Sequence, residues 1–150
     1  MKWIKWLVLS MALLLVACSD KTYEPREINQ QTDICYMCNM SITHVDYAGQ
    51  IVKKNGDVLV FDDIGCLMEY IHEEGEKEIG ASFIRDTNSK TWLDVKEASY
   101  VYSSEYWTPM NFGVLAFASD EDAQTYIEEQ PGELLSYKDL ETFNWGVHTH

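Results

Sequence analysis

The sequence predicts an α+β fold, two tandem β-β-α-β units forming one compact domain, and three observations carry that reading. Asn55-Gly56 sits between two apolar runs, Tyr47 to Val52 and Val58 to Phe61. That dipeptide supplies the positive-φ positions of a tight turn, so the stretch reads as a hairpin. Ile64, Leu67, Met68 and Ile71 recur at i, i+3, i+4 and i+7, which is one apolar face of a helix. Parts of the first half return at a single offset of 56 residues. Val58-Leu59-Val60-Phe61 is echoed by Val114-Leu115-Ala116-Phe117, and Tyr70-Ile71-His72-Glu73-Glu74 by Tyr126-Ile127-Glu128-Glu129-Gln130.

The chain begins with a segment outside this pattern. Lys2 and Lys5 form a basic region ahead of the apolar run Leu7 to Val16, which is too short to span a bilayer. The run ends in Leu15-Val16-Ala17-Cys18, which resembles a bacterial lipobox. The expectation is a signal peptide over 1–17 and a lipidated N-terminal Cys18, which removes Cys18 from any metal or disulfide count. Residues 18–33 are polar, lack periodicity and contain Pro25, and read as a tether of at most about 50 Å. The domain is expected over 34–150, with units of about 34–95 and 96–150.

Within the first unit, Asp62 or Asp63 caps the helix and Gly75 stops it. Ala81 to Ile84 and Thr91 to Leu93 read as further strands around the turn-rich Asp86-Thr87-Asn88-Ser89. In the second unit, Ser119 caps a helix with acids in its first turn, and Pro131-Gly132 ends it. The common offset aligns Asn55-Gly56 with Asn111-Phe112. Trp92, Trp107, Tyr100 and Tyr102 are expected on strands, as sheet faces or core. Cys66 aligns with Asp122 and Met110 with Lys54. Neither sulfur is required by the shared architecture.

Charge narrows the function. Eleven Lys and Arg face 25 Asp and Glu, a formal net charge of −14, and loss of Lys2 and Lys5 makes it more negative. Nucleic acid is excluded as a partner, and binding of anionic lipid through the protein surface is disfavoured. No Ser-His-Asp triad, phosphate loop or nucleotide fingerprint is visible, and the chain is read as a non-enzyme.

The chemistry concentrates in Cys35-Tyr36-Met37-Cys38-Asn39-Met40. Thiolate together with thioether suits a soft ion, Cu(I) more than Zn(II). The C-x2-C spacing is equally that of a zinc half-site, a redox pair or a structural disulfide. Cys38 and Met40 flank Asn39, and an extended backbone would point both side chains the same way. Cys66, in the first helical turn and off the apolar stripe, reads either as a further thiolate or as a small semi-buried hydrophobe. Met110 follows Pro109 in a turn, where packing explains a thioether poorly. Met68 lies on the stripe and reads as core. His148 and His150 form a terminal His-x-His, a weak metal pair.

Taken in order, the lipobox, Cys35-x-x-Cys38-Asn39-Met40, Tyr47-Ala48-x-Gln50-Ile51, Phe61-Asp62-Asp63-Ile64-Gly65-Cys66, Trp92, Tyr100-Val101 and Pro109-Met110 resemble NosL, the nitrous-oxide reductase accessory lipoprotein family. The resemblance implies a membrane-anchored extracytoplasmic protein that binds Cu(I) and passes it toward the copper sites of nitrous-oxide reductase or its assembly machinery. It also implies a tandem β-β-α-β fold. By position, Cys38 and Met40 match the family's Cys-x-Met motif and Met110 its Pro-Met motif; the chemistry of the residues adds Cys35 or Cys66 as extra thiolates. Asn39 stands where many members have Gly. The competing function is a lipoprotein whose cysteines act in thiol-disulfide exchange or form a structural zinc or disulfide site. Such a protein needs Cys35 and Cys38 but is indifferent to Met40 and Met110.

Overall fold

The computed structural model describes residues 21–145, and Cys18, His148 and His150 lie outside them. Strands β1 (Gly49–Lys53) and β2 (Val58–Phe61) form the expected hairpin, paired from Gly49 with Phe61 to Val52 with Val58. Gly56 takes φ +98°, a conformation that costs a glycine little, and the Asn55 side chain accepts from the Asp57 N–H. Helix α1 (Ile64–Glu74) returns the chain to β3 (Ile79–Arg85), which pairs with the other side of β1. Strand β4 (Trp92–Asp94) completes an antiparallel sheet ordered β2-β1-β3-β4.

The second unit repeats this connection. Strands β5 (Ser99–Tyr102) and β6 (Val114–Phe117) pair, helix α2 (Asp120–Glu129) follows, and β7 (Glu133–Leu135) returns to the free side of β5. Its order, β6-β5-β7, matches β2-β1-β3. Phe61 and Phe117 both end a strand that leads into a helix, and the caps Asp63 and Ser119 keep the offset read in the sequence. A short helix α3 (Tyr137–Thr142), which the sequence pattern did not announce, packs its buried Leu140 into the core.

The repeat departs from symmetry in one place that matters. Residues 54–57 join β1 to β2, whereas residues 103–113 join β5 to β6. Asn111 and Gly113 in the longer loop both take positive φ. Trp107, expected on a strand, lies in this loop and is 55% exposed. Gly65 lets the loop reach α1, because a Cβ there would come within 2.0 Å of the Phe112 ring. The first strand also starts later than its apolar run. Val45–Tyr47 form a 3-10 turn, and pairing begins at Gly49, where a Cβ would meet Leu67 at 2.8 Å. That close approach seats α1 on the sheet, burying Ile64, Leu67 and Met68 against Ile51, Phe61 and Ile84.

The opposite face of the first sheet is covered by the N-terminal segment. Gln50 points away from the core residue Ile51, as strand alternation requires, and is fully buried. Its amide oxygen accepts from the Arg26 backbone N–H at 3.1 Å, and its Nε2 donates to the Arg26 carbonyl at 2.5 Å. The Tyr23 ring lies where a Gly80 Cβ would be, Arg26 pairs with Asp33, and Glu27 with Arg85. Residues 23–33, expected as tether, therefore lie along the domain. Among the described residues no helix is long and apolar enough to cross a membrane.

Candidate metal site

Residues 34–41 form a closed loop on the free edge of β2. Ile34 bridges Ser41, the Cys35 N–H donates to the Met40 carbonyl at 2.9 Å, and the Asn39 N–H donates to the Cys35 carbonyl at 3.0 Å. Tyr36 N–H donates to the Val60 carbonyl at 2.9 Å, fastening the loop to the strand. Asn39 takes φ +58°, left-handed backbone that Asn tolerates better than most residues. The expectation of an extended backbone is therefore not met: the chain turns between Cys38 and Met40. A glycine in that position would meet the same need.

Helix α1 brings in the third thiol. Asp63, at its N-cap, accepts from Gly65 N–H at 3.0 Å and Cys66 N–H at 3.2 Å through Oδ1. Its Oδ2 accepts from Met110 N–H at 3.0 Å. One carboxylate thus fixes the first turn carrying Cys66 and the loop carrying Met110. The sulfurs of Cys35, Cys38 and Cys66 all lie within 4.8 Å of one another, and all three thiols are free. Cys35 and Cys66 are buried, while Cys38 is half-buried at the opening. Cys66 lies off the helix's apolar stripe yet is inaccessible, because the two loops cover that face.

The electrostatics separate the three thiols. Cys35 is pulled well below the ordinary thiol range, chiefly because the Cys66 thiol donates a hydrogen bond to it. Burial opposes this, and the backbone N–H groups of Cys38, Asp62 and Met37 add to the lowering. Cys66 is held protonated as the donor, with burial acting in the same direction. Burial also pushes Cys38 up, helped by the Cys35 charge and opposed by the Met40 N–H. One thiolate and two thiols is the resting state this geometry favours.

Two buried carboxylates lie beneath. Asp63 is pushed up to about 6 by burial, against the lowering effect of the Cys66, Met110 and Gly65 N–H groups. Asp62 is also pushed up to about 6, by burial and the nearby Cys35 charge, while His44 acts in the other direction. Asp62 is 4% exposed, and its Oδ1 has no hydrogen-bond partner among the described residues. His44 in turn meets the Trp107 ring edge-on at 4.8 Å. The link from the thiols through Asp62 to His44, and from His44 to Trp107, was not read from sequence. The Asp-Asp doublet before Cys66 was the available signal.

The predicted sulfur residues divide into three groups. Cys35, Cys38 and Cys66 are together. Met110 is joined to them through Asp63 and packs, half-buried, against the core, as does Met37. Met40 belongs to the cysteine loop but is 47% exposed at its rim. Met68 is 3% exposed in the core, where its position on the stripe predicted it. A cavity of about 760 Å3 between α1 and α3, lined by Met68, Ile71, His72, Leu140, Phe143 and Trp145 among others, contains none of these thiols.

The NosL family model matches residues 25–143. This chain belongs to the NosL family. A search of the curated proteins found no match. Among solved structures, the crystal structure of the copper chaperone NosL from Shewanella denitrificans superposes with a TM-score of 0.70. The two are 20% identical, and the match covers 79% of this chain and 96% of that one. At that identity the likeness is one of fold alone, and it is the family model that spans both β-β-α-β units. The NosL match begins at residue 25, within the segment that the structure packs onto the sheet.

Proposed function

We propose that this chain is an extracytoplasmic, lipid-anchored Cu(I) metallochaperone that delivers copper for assembly of the copper sites of nitrous-oxide reductase. The observation that carries the copper reading is three free cysteine sulfurs within 4.8 Å of one another, one of them favoured as thiolate. A soft monovalent ion is well served by two or three sulfur donors and does not need a closed four-ligand cage. Copper here is cargo, and a carrier must release it. Cys38 and Met40, at the accessible side of the cluster, supply places where an incoming donor can begin ligand exchange. Cys38, Met40 and Met110 form the transferring set, with Cys35 and Cys66 as the buried thiols behind them. The NosL family supports the destination, and Leu15-Val16-Ala17-Cys18 supports the anchor.

An anaerobic Cu(I) titration of the reduced protein against a competing chelator tests this. Met110→Leu weakens Cu(I) binding. Met68→Leu, nearly volume-conserving in the core, leaves affinity intact and costs less than about 1.5 kcal/mol of stability. Equal affinity in Met110→Leu and wild type removes Met110 from the site. If instead the protein turns over dithiols and is indifferent to Met40 and Met110, the thiol-disulfide reading replaces this one.

A further inference from the structure

We propose that Ile34, Tyr36, Met40 and Trp107 form a docking collar for the protein that exchanges copper with this site, and that the collar faces away from the membrane. The inference rests on the copper-carrier reading and adds the surface, its orientation and the chemistry of the partner. Among the described residues five large apolar side chains are strongly exposed: Ile34 (54%), Tyr36 (55%), Met40 (47%), Trp107 (55%) and Leu134 (37%). Four of them belong to the two loops that build the thiol site. Apart from Glu105, those loops carry no charge: residues 34–43 and 106–119 contain no Lys, Arg, Asp or Glu, in a chain whose net charge is −14. An apolar surface with so little charge beside the cargo matches a partner surface of the same kind, not a strongly basic one.

The aromatic members are already held in place. Tyr36 packs edge-on against Tyr70 at 5.4 Å and Phe61 at 6.5 Å, and Trp107 against His44 at 4.8 Å and Tyr47 at 5.6 Å. Rigid aromatic anchors lose little entropy on binding, which suits an interface more than a solvated loop.

The alternative occupant is the bilayer, since aromatic side chains also favour lipid interfaces. The N-terminal segment argues against it. Tyr23 lies on Gly80, at the Lys53–Ile79 end of the first sheet, whereas the thiols sit at its Gly49–Phe61–Ile84 end. From Gly80 to Arg85 the strand covers about 16 Å. Between Tyr23 and a lipidated Cys18 the chain reaches at most about 18 Å. That maximum only just exceeds the strand, so the lipid would reach the collar end only if the spacer ran fully extended back along the sheet. A flexible five-residue spacer spans about 12 Å, which leaves the collar as the end presented outward.

The test uses the lipidated full-length protein on phosphatidylcholine/phosphatidylglycerol vesicles, loaded with Cu(I). Purified apo nitrous-oxide reductase with its extracytoplasmic assembly proteins serves as acceptor. In Ile34→Ser/Trp107→Ser, copper transfer slows by about ten-fold or more, as expected for loss of interface anchors, while chelator-measured affinity is unchanged. Wild-type transfer changes by less than about two-fold between low and high salt, because no charged contacts are screened. Brominated acyl chains do not quench the Trp107 contribution, taken as wild type minus Trp107→Phe. Should the double variant fail to fold, Ile34→Ser alone carries the same expectation. Unchanged transfer in the variant, or a steep salt dependence, overturns the collar. Quenching of Trp107 assigns the surface to lipid, and collar-dependent self-association assigns it to a second copy. Absence of Cu(I) binding in wild type refutes the carrier reading itself, and is seen before any variant is made.

Discussion

Asp63 and Asp62 are adjacent, equally buried and opposite in role. Asp63 spends its two oxygens on three backbone N–H groups, those of Gly65, Cys66 and Met110. Asp62 leaves Oδ1 without a partner among the described residues, and its carboxyl feels the Cys35 charge. Burial holds both near 6, above the ordinary carboxyl value of about 4. Between those values the folded protein retains protons that the unfolded chain has released. Stability therefore falls as pH rises through about 4 to 6 and is lowest, on this account, above 6. Asp62→Asn removes the charge without removing a hydrogen bond that the fold uses. It should raise the thermal midpoint at pH 7, and the difference from wild type should vanish near pH 4. A gain that persists at pH 4 would place its cause elsewhere. The thiols give a second pH dependence of opposite sense. Cys38 and Cys66 are held protonated, so binding Cu(I) through them must displace protons, and apparent affinity should rise with pH by up to about ten-fold per unit for each proton released. Chelator competition at three pH values measures that slope. A flat profile would mean that Cys35, already favoured as thiolate, is the only cysteine that binds.

At the scale of elements, the site is where a hairpin, a helix start and an overgrown loop meet. The β1–β2 hairpin, α1 and the tandem arrangement were legible because each rests on local pattern: Asn55-Gly56, the Ile64 to Ile71 stripe, and the fixed offset between Phe61 and Phe117. The cysteine cluster was only half legible. Cys35 and Cys38 announce each other by spacing. Cys66 arrives through tertiary packing, and its place off the apolar stripe left a further thiolate and a semi-buried hydrophobe both open, because the stripe does not show that loops cover that face. The 103–113 loop defeated the pattern reading for a similar reason. Tyr100 and Tyr102 alternate as a strand should, but Trp107 lies five residues beyond Tyr102, out of that phase and after the strand has ended. Gly65 is the position where these elements are most tightly joined. Its missing Cβ is occupied by the Phe112 ring, and the same loop carries Met110. Gly65→Ala should therefore destabilise by about 1–3 kcal/mol, the range for forcing extra volume into a packed contact. It should also lower Cu(I) affinity by displacing Met110, although it touches no sulfur. Loss of stability with unchanged affinity would show that the loop position does not govern the site.

At the scale of the whole molecule, the domain boundary is set by contacts that composition does not reveal. Residues 18–33 are polar and aperiodic, which is the signature of a linker, and single-sequence pattern has no means of showing that a buried amide waits for one of them. Gln50 is that amide. In a strand otherwise reading as apolar it looks like an exposed position, yet it is fully buried and bonds both backbone groups of Arg26. With Tyr23 against Gly80, Arg26 against Asp33 and Glu27 against Arg85, the folded body begins near Tyr23, which leaves only a few residues as a spacer if Cys18 is the anchor proposed above. Trypsin distinguishes this from a loose tether, because its two sites in the region fall on opposite sides of the boundary. Cleavage after Lys21 should be fast. Cleavage after Arg26 requires the backbone to leave Gln50, so it should be slower by the population of that local opening. Gln50→Ala removes both bonds at once and should bring the Arg26 cut closer to the Lys21 rate, while unfolding in urea should make both bonds equally accessible and so controls for the acidic Glu27 beside the scissile bond. Equal, rapid cleavage at both sites in the native wild type would return residues 23–33 to the tether and lengthen the reach of the domain from the anchor proposed at Cys18 accordingly.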